Sequence, residues 1–158
     1  MRKTNEKLPN LEGQTITRLE KILTELHMDY KKLSLPDDDI VYTVEISMSL
    51  PLDEKKDILV FLLISADNKN LFLMCPNIYK LNKKDTTLQI LIALNRVNSK
   101  LSGGSVTLEE DKTVIYRRHV RFDRIDSINK SKLENLFSDI VASIIYTAEE
   151  IKGIKQHE

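Results

Sequence analysis

The chain has 158 residues, and its 24 lysines and arginines are balanced by 24 aspartates and glutamates. With no net charge, it has no overall field that would steer nucleic acid, an anionic membrane or an acidic substrate towards it. A single cysteine excludes an internal disulfide, and the apolar sequence around Cys75 predicts a small buried side chain rather than a reactive thiol. The length predicts a single domain with one core.

The first residues are polar, include Pro9 and show no hydrophobic period. Residues 1–13 are therefore predicted to form a flexible arm, residues 14–153 a single domain and residues 154–158 a C-terminal tail. The start has no apolar signal-peptide core, and no apolar run approaches the ~18 residues of a transmembrane helix. These features predict a cytoplasmic protein without a membrane partner.

A first helix is predicted over residues 15–28, where apolar residues recur at helical spacing. Thr17 and Glu20 have the spacing of an N-terminal capping box. Pro36 and the three aspartates at 37–39 then favour a turn. Those aspartates lack the glycine and the distal glutamate of a calcium-binding loop, so ordinary loop solvation is the favoured interpretation.

Three strands are predicted next. Residues 40–50 alternate between apolar and largely polar positions, which is typical of a strand with one buried face. Residues 58–66 and 71–75 are apolar at consecutive positions, and Asp67 and Asn68 between them favour a hairpin. Both faces of this hairpin need cover, which indicates another layer or another subunit.

A second helix is predicted to start with Asn82 or Asp85 as its N-terminal cap and to reach Leu101. Gly103 and Gly104 follow it. They are too few for a phosphate-binding loop and favour a turn.

A second hairpin is predicted to turn at Asp111 and Lys112 and to include the alternating strand 113–122. The last helix is predicted over residues 133–151, with Gly153 as its C-cap. The sequence therefore predicts an α+β fold in the order helix, three strands, helix, two strands, helix. The helices are expected to pack on an antiparallel sheet.

The chain carries no established catalytic, cofactor or metal motif, so no residue is assigned to such a site and no cofactor is expected. His27, His119 and His157 are far apart and lie in no metal-ligand spacing. No serine lies in a recognisable nucleophile turn. Enzymes are therefore the least favoured functional class.

The strongest local charge pattern lies in the strand 113–122, where Arg117, His119 and Arg121 alternate onto one face. Their spacing of about 6.6–7 Å would suit carboxylates or phosphates and makes them a candidate anion-binding face. The favoured interpretation is that they form the solvated side of a hairpin, with Glu109 nearby to neutralise them.

Asn95 and Asn98 interrupt an apolar helix in the sequence LIALNRVNSKL, which is followed by GSVTLEEDKTVIYRRHVRF. This stretch resembles the YbjN-like family, bacterial proteins described as sensory transduction regulators that have the fold of type III secretion chaperones. In the resemblance the two asparagines belong to an LNxxN signature. We expect them to be structural, with their amides bonded to backbone groups of the loop at residues 101–105. A polar ligand pocket is the functional alternative.

What the resemblance implies is binding rather than catalysis, because type III secretion chaperones are homodimers that hold an extended client polypeptide along hydrophobic grooves. Those chaperones are typically acidic, whereas this chain is neutral, so no role in secretion itself is expected. The leading hypothesis is a chaperone-like regulatory domain whose partners are a second copy and an unidentified polypeptide client. The alternative is an anion or nucleic-acid binding module that uses Arg117, His119 and Arg121. Nucleic acid is disfavoured, since the chain has no tryptophan and its charge is balanced.

The homodimer is predicted to bury apolar side chains of the second helix together with the central strands. That helix is apolar over more than one stripe, and an apolar surface of a few hundred Å² is rarely left bare on a monomer. The residues with surface to spare are Leu88, Leu91, Ile92 and Leu94. The alternative is a monomer whose own helices cover the sheet.

Overall fold

A computed structural model describes residues 11–34, 39–50, 53–67, 69–122 and 127–155. It contains three helices, which are α1 (Leu11–Glu25), α2 (Thr87–Asn98) and α3 (Lys130–Lys155). Its strands are β1 (Asp29–Leu33), β2 (Ile40–Leu50), β3 (Asp53–Ser65), β4 (Asn70–Lys80), β5 (Ser105–Leu108) and β6 (Thr113–Arg121). In the described part of the chain, no helix is both long and apolar enough to cross a membrane.

The six strands form one antiparallel sheet in the order β1-β2-β3-β4-β6-β5. The predicted α+β class, with helices packed on an antiparallel sheet, is confirmed. The sheet has one strand more than the sequence predicted. Strand β1 was missed because its sequence DYKKL is polar and lies at an exposed sheet edge, so it carries no clear hydrophobic alternation. An ion pair between Lys32 and Glu20 connects it to α1.

The core lies on one face of the sheet. Alternate residues of the central strands are fully buried there and share one cluster with buried residues of all three helices. Examples are Val44 and Leu62, which pair across β2 and β3, and Leu23 and Ile140 from the helices. Cys75 is also buried in this cluster, as predicted.

Several predicted boundaries are wrong. Helix α1 begins at Leu11, so Thr17 lies inside it and donates its hydroxyl to the Gly13 carbonyl instead of forming a capping box. The N-cap of α2 is Thr86 rather than Asn82 or Asp85. The Asp85 carboxylate accepts the backbone N–H of Asn82, so both residues take part in the turn that precedes α2.

The other differences concern where segments end. Helix α2 ends at Asn98 rather than Leu101, and α3 continues through Gly153, which is therefore not its C-cap. Strand β3 begins at Asp53 rather than at residue 58. Helices α1 and α3 extend into the predicted arm and tail, while residues 1–10 and 156–158 lie outside the described residues. The turn at Pro36 also lies outside them.

Candidate protein-binding surfaces

Helix α2 leaves an apolar patch in solvent. Its buried side holds Ile90, Ala93, Leu94 and Val97. The opposite side presents Leu88, Leu91 and Ile92, which are 65%, 47% and 44% exposed. Large apolar side chains at this exposure, three or four residues apart, form one continuous stripe on a helix. We call these three residues the α2 patch. The prediction that helix two has apolar surface to spare therefore agrees with the structure, except that Leu94 is buried.

Asn98 joins the end of α2 to strand β5. Its Nδ2 donates to the Val106 carbonyl at 2.9 Å, and its Oδ1 accepts the Val106 N–H at 2.8 Å. The amide thus pairs with the backbone of β5 as another strand would. This geometry is the structural role expected for Asn98, although the partner lies one residue beyond the predicted loop. Asn95 is also exposed, but it lies on the same side of α2 as the patch.

A second apolar surface lies on the sheet face opposite the core. Phe61 and Leu63 of β3 pair with Met74 and Phe72 of β4, and all four are partly exposed. Leu59 extends the row and is 41% exposed. None of these side chains belongs to the helix-packed core. We call these five residues the sheet strip. The sequence correctly indicated that both faces of this hairpin are apolar, but no described helix packs on this one.

The candidate anion-binding side chains border the sheet strip on β6. His119 stacks on Phe72 with ring centroids 4.7 Å apart and an interplanar angle of 13°. Its Nε2 lies 2.8 Å from Asn70 Oδ1. Arg117 donates to both carboxylate oxygens of Glu109, at 3.0 and 3.3 Å. The structure therefore brings Arg117, His119 and the exposed Arg121 onto one face, as predicted, but two of them already have internal partners.

The contact with Arg117 also affects the charge state of Glu109. The hydrogen bonds donated by Arg117 lower the pKa of the Glu109 carboxyl below its ordinary value, and a further bond from Thr107 adds to this effect. Glu109 is therefore ionised at neutral pH and neutralises Arg117. An incoming anion would have to compete with this carboxylate.

Arg118 was not singled out by sequence analysis, because alternation placed it on the apolar side of its strand. It lies on the core face beside Leu73 and is mostly buried. Its guanidinium donates to Asp139 of α3 at 2.8 Å. The neighbouring Tyr116 hydroxyl donates to the Gly103 carbonyl at 3.0 Å, which holds the loop after α2 against β6. The sequence signal for Arg118 was the adjacent pair Arg117 and Arg118, because one of two neighbouring strand residues must lie on the apolar face.

This loop requires glycine at residue 104. Gly104 has a φ of +79°, and a Cβ there would lie 2.7 Å from the Arg117 carbonyl oxygen. The predicted turn at Gly103 and Gly104 therefore has a steric reason.

A cleft of about 460 Å³ beside the start of β1 is lined by His27 and Asp57, among others. A cleft of about 300 Å³ between α2 and α3 is lined by Arg96, Tyr146 and Glu150, among others. The Tyr146 hydroxyl donates to Glu150 at 3.0 Å, and Lys100 lies 5.3 Å from the centre of the Tyr146 ring. In the same described ranges, no histidine, cysteine or acidic side chains cluster as metal ligands would.

Comparison with known protein families and with curated proteins finds no match. Solved structures with the same fold do exist. An uncharacterised protein from Methanothermobacter thermautotrophicus superimposes with a TM-score of 0.62 at 8% identity, over 88% of this chain and 97% of that one.

Two other similar structures contain type III secretion chaperones. The Yersinia pestis chaperone SycH, solved with a stable fragment of YscM2, has a TM-score of 0.50 at 17% identity over 83% of this chain and 97% of that one. A chain of the HopA1-SchA chaperone-effector complex has a TM-score of 0.51 at 12% identity over 94% of this chain and 99% of that one. The chain therefore has the fold of type III secretion chaperones. At these identities the likeness establishes the fold alone.

Proposed function

We propose that this chain is a chaperone-like, non-catalytic protein-binding domain that acts as a homodimer and holds a polypeptide client. The observation that carries the proposal is the partly exposed sheet strip. Two similar chaperone structures support it, one solved with a fragment of YscM2 and the other in a chaperone-effector complex. The cytoplasmic location and the membership of a bacterial YbjN-like family are further parts of this proposal.

The dimer is assigned to the α2 patch. Leu88, Leu91 and Ile92 lie on one side of a well-anchored helix, so a second copy related by a two-fold axis would cover the same three side chains on both subunits. The exposed Asn95 lies one turn beyond them. The sequence predicted a dimer contact formed by the second helix together with the central strands. In the structure the α2 patch and the sheet strip lie on different sides of the sheet.

Static light scattering at micromolar concentration tests the dimer. We expect a mass near twice the 18.3 kDa of one chain, and a shift towards one chain in the double variant Leu91→Ser/Ile92→Ser. The matched control is Leu59→Ser, which removes an exposed leucine from the sheet strip and should leave the mass unchanged. A wild-type mass that stays at one chain as concentration rises would contradict the dimer.

Client binding is tested with reduced and carboxymethylated lactalbumin, a permanently unfolded polypeptide. Labelled with a fluorescent dye, it should bind the protein and gain anisotropy. Substituting Phe61 and Phe72 with threonine, which removes apolar area but keeps strand propensity, should weaken this binding. Binding that is absent, or that is insensitive to these substitutions, would contradict the proposed use of the strip.

The alternative of an anion or nucleic-acid binding module has less support. Glu109 already binds Arg117, and His119 is held between Phe72 and Asn70. Titration with labelled single-stranded DNA across a salt series separates the two functions, because binding to phosphates weakens as salt rises. We expect no salt-dependent binding.

A further inference from the structure

The sheet strip has the dimensions of a helix-binding surface. From Leu59 to Leu63 the strip runs about 13 Å along β3. The paired strand β4 widens it by about 5 Å, the spacing between neighbouring strands. An α-helix with its side chains is about 10–12 Å across. Layers of helix on sheet are also the common way to cover an apolar sheet face.

At residues 61–64 of β3, the backbone beneath the strip is already paired on both sides. Strand β3 is hydrogen-bonded to β2 and β4, and β4 is hydrogen-bonded to β3 and β6. An extended segment lying on this face would find no backbone partners and would bury its own N–H and C=O groups unpaired, which is costly. A helix satisfies its backbone groups internally. We propose that the sheet strip receives an amphipathic α-helix of the client, an inference that rests on the proposed function.

The charges beside the strip indicate how that helix is oriented. On the β2 side, Glu45 and Lys31 are register partners on neighbouring strands, so this side carries one charge of each sign. On the β6 side Arg117 is matched by Glu109, and the exposed Arg121 lies two positions further along the same face. The excess positive charge is therefore on β6. The bound helix presents acidic residues along the edge that faces this strand.

A second copy is disfavoured as the occupant. The α2 patch and the sheet strip lie on different sides of the sheet, and each would form its own two-fold contact. A chain with two separate self-complementary contacts assembles into an open array rather than a closed dimer. Assigning the second copy to the α2 patch leaves the strip for a different polypeptide.

The test uses dye-labelled synthetic peptides of about 14 residues, ~21 Å long when helical. A small set carries leucine, methionine or phenylalanine on one face, glutamate along one edge and lysine along the other. A matched set has proline at the centre, which breaks the helix. Fluorescence anisotropy should show binding of the helical set to the full chain, and circular dichroism should show that the peptides gain helix when bound. The proline set should bind at least about tenfold more weakly.

Variants locate the site. Phe61→Thr/Phe72→Thr should weaken binding of the helical set at least about tenfold, as expected for central aromatic contacts. Arg121→Glu, a surface change that leaves the strip intact, should weaken it by a smaller factor and reduce its salt dependence. Ala148→Ser, at an exposed position of α3 outside both surfaces, is the control and should not alter binding. Thermal melting establishes that each variant is folded.

Each contrary result has a definite meaning. Equal binding of helical and proline peptides would overturn the helical occupant in favour of an extended one. Binding unaffected by the Phe61 and Phe72 substitutions would overturn the site. A change of oligomeric mass in that variant would assign the strip to a second copy. If unfolded lactalbumin binds but no helical peptide does, this inference fails while the proposed function stands; if neither binds, both fail.

Discussion

The two faces of the sheet use the same strands for different purposes. On the helix-covered face, Leu62 and Val60 are fully buried and join a core with residues from three helices. On the opposite face, Phe61 and Leu63 remain partly exposed although they are equally apolar. Neighbouring residues of β3 therefore differ in role only through the face on which they lie. The comparison shows that apolar character alone does not separate residues that stabilise the fold from residues available to a partner.

The largest effect should come from comparing Leu62→Ala with Leu63→Ala. Leu62 is completely buried, so its truncation leaves a cavity and should lower the free energy of unfolding by about 2–5 kcal/mol. Leu63 is partly exposed and lies outside the helix-packed core, so Leu63→Ala should cost less, about 1–2 kcal/mol. Urea unfolding of the two variants measures the difference. Equal losses would show that the opposite face is also part of the core.

The two asparagines of α2 provide the next comparison. Asn98→Ala would leave both backbone groups of Val106 without the amide that pairs with them, and should lower the free energy of unfolding by about 1–3 kcal/mol. Asn95→Ala, at an exposed helix position, should change it by no more than about 0.5 kcal/mol. Thermal and urea melts decide the matter. An unchanged melting temperature for Asn98→Ala would remove its structural role.

The adjacent residues Arg117 and Arg118 of β6 compare a charged side chain on the open face with one on the core face. Arg118 is only 17% exposed and bonds Asp139, which is 47% exposed, so solvent screens part of this interaction. Arg118→Ala should therefore cost about 1 kcal/mol. Arg117→Ala removes an exposed ion pair with Glu109 and should produce no measurable loss. Urea unfolding measures both losses of stability. A larger loss for Arg117→Ala than for Arg118→Ala would contradict the conclusion that Arg118 contributes more to the fold.

The smallest expected effect is a pH dependence on the open face. The pKa of Glu109 is lowered from its ordinary value of 4.5, chiefly by the hydrogen bonds from Arg117. A depressed folded-state pKa contributes stability above the unfolded-state value, and this contribution is lost as pH falls through the folded-state value. Carboxyl NMR titration should find a lower midpoint for Glu109 in the wild type than in Arg117→Met. Identical midpoints would contradict the pairing.

Much of the fold follows from local pattern. The alternation in residues 40–50 and the helical period in residues 133–151 predicted elements that the structure contains, since burial on one side imposes these periods. The turns at Asp67 and at Gly104 likewise have local causes. Strand β1 could not be predicted, because a polar edge strand is specified by its pairing with β2 rather than by its own period.

The candidate surfaces were only partly predictable. The sequence indicated surplus apolar side chains on helix two and on the strands 58–66 and 71–75, and it placed Arg117, His119 and Arg121 on one face. It indicated that Glu109 would neutralise this face, but not that both of its carboxylate oxygens would bind Arg117 or that His119 would stack on Phe72. These contacts join different strands, so they depend on the register between strands.

By itself, the sequence determined which side chains share a face of a helix or strand, because the backbone geometry of each element sets a fixed period of 3.6 or 2 residues. Only the tertiary structure decided which of those faces is covered. The three helices pack on the side of Leu62 and leave the side of Phe61 without a described helix. The physical reason is that coverage depends on which elements the loops bring together, and the period of a single segment does not contain that information.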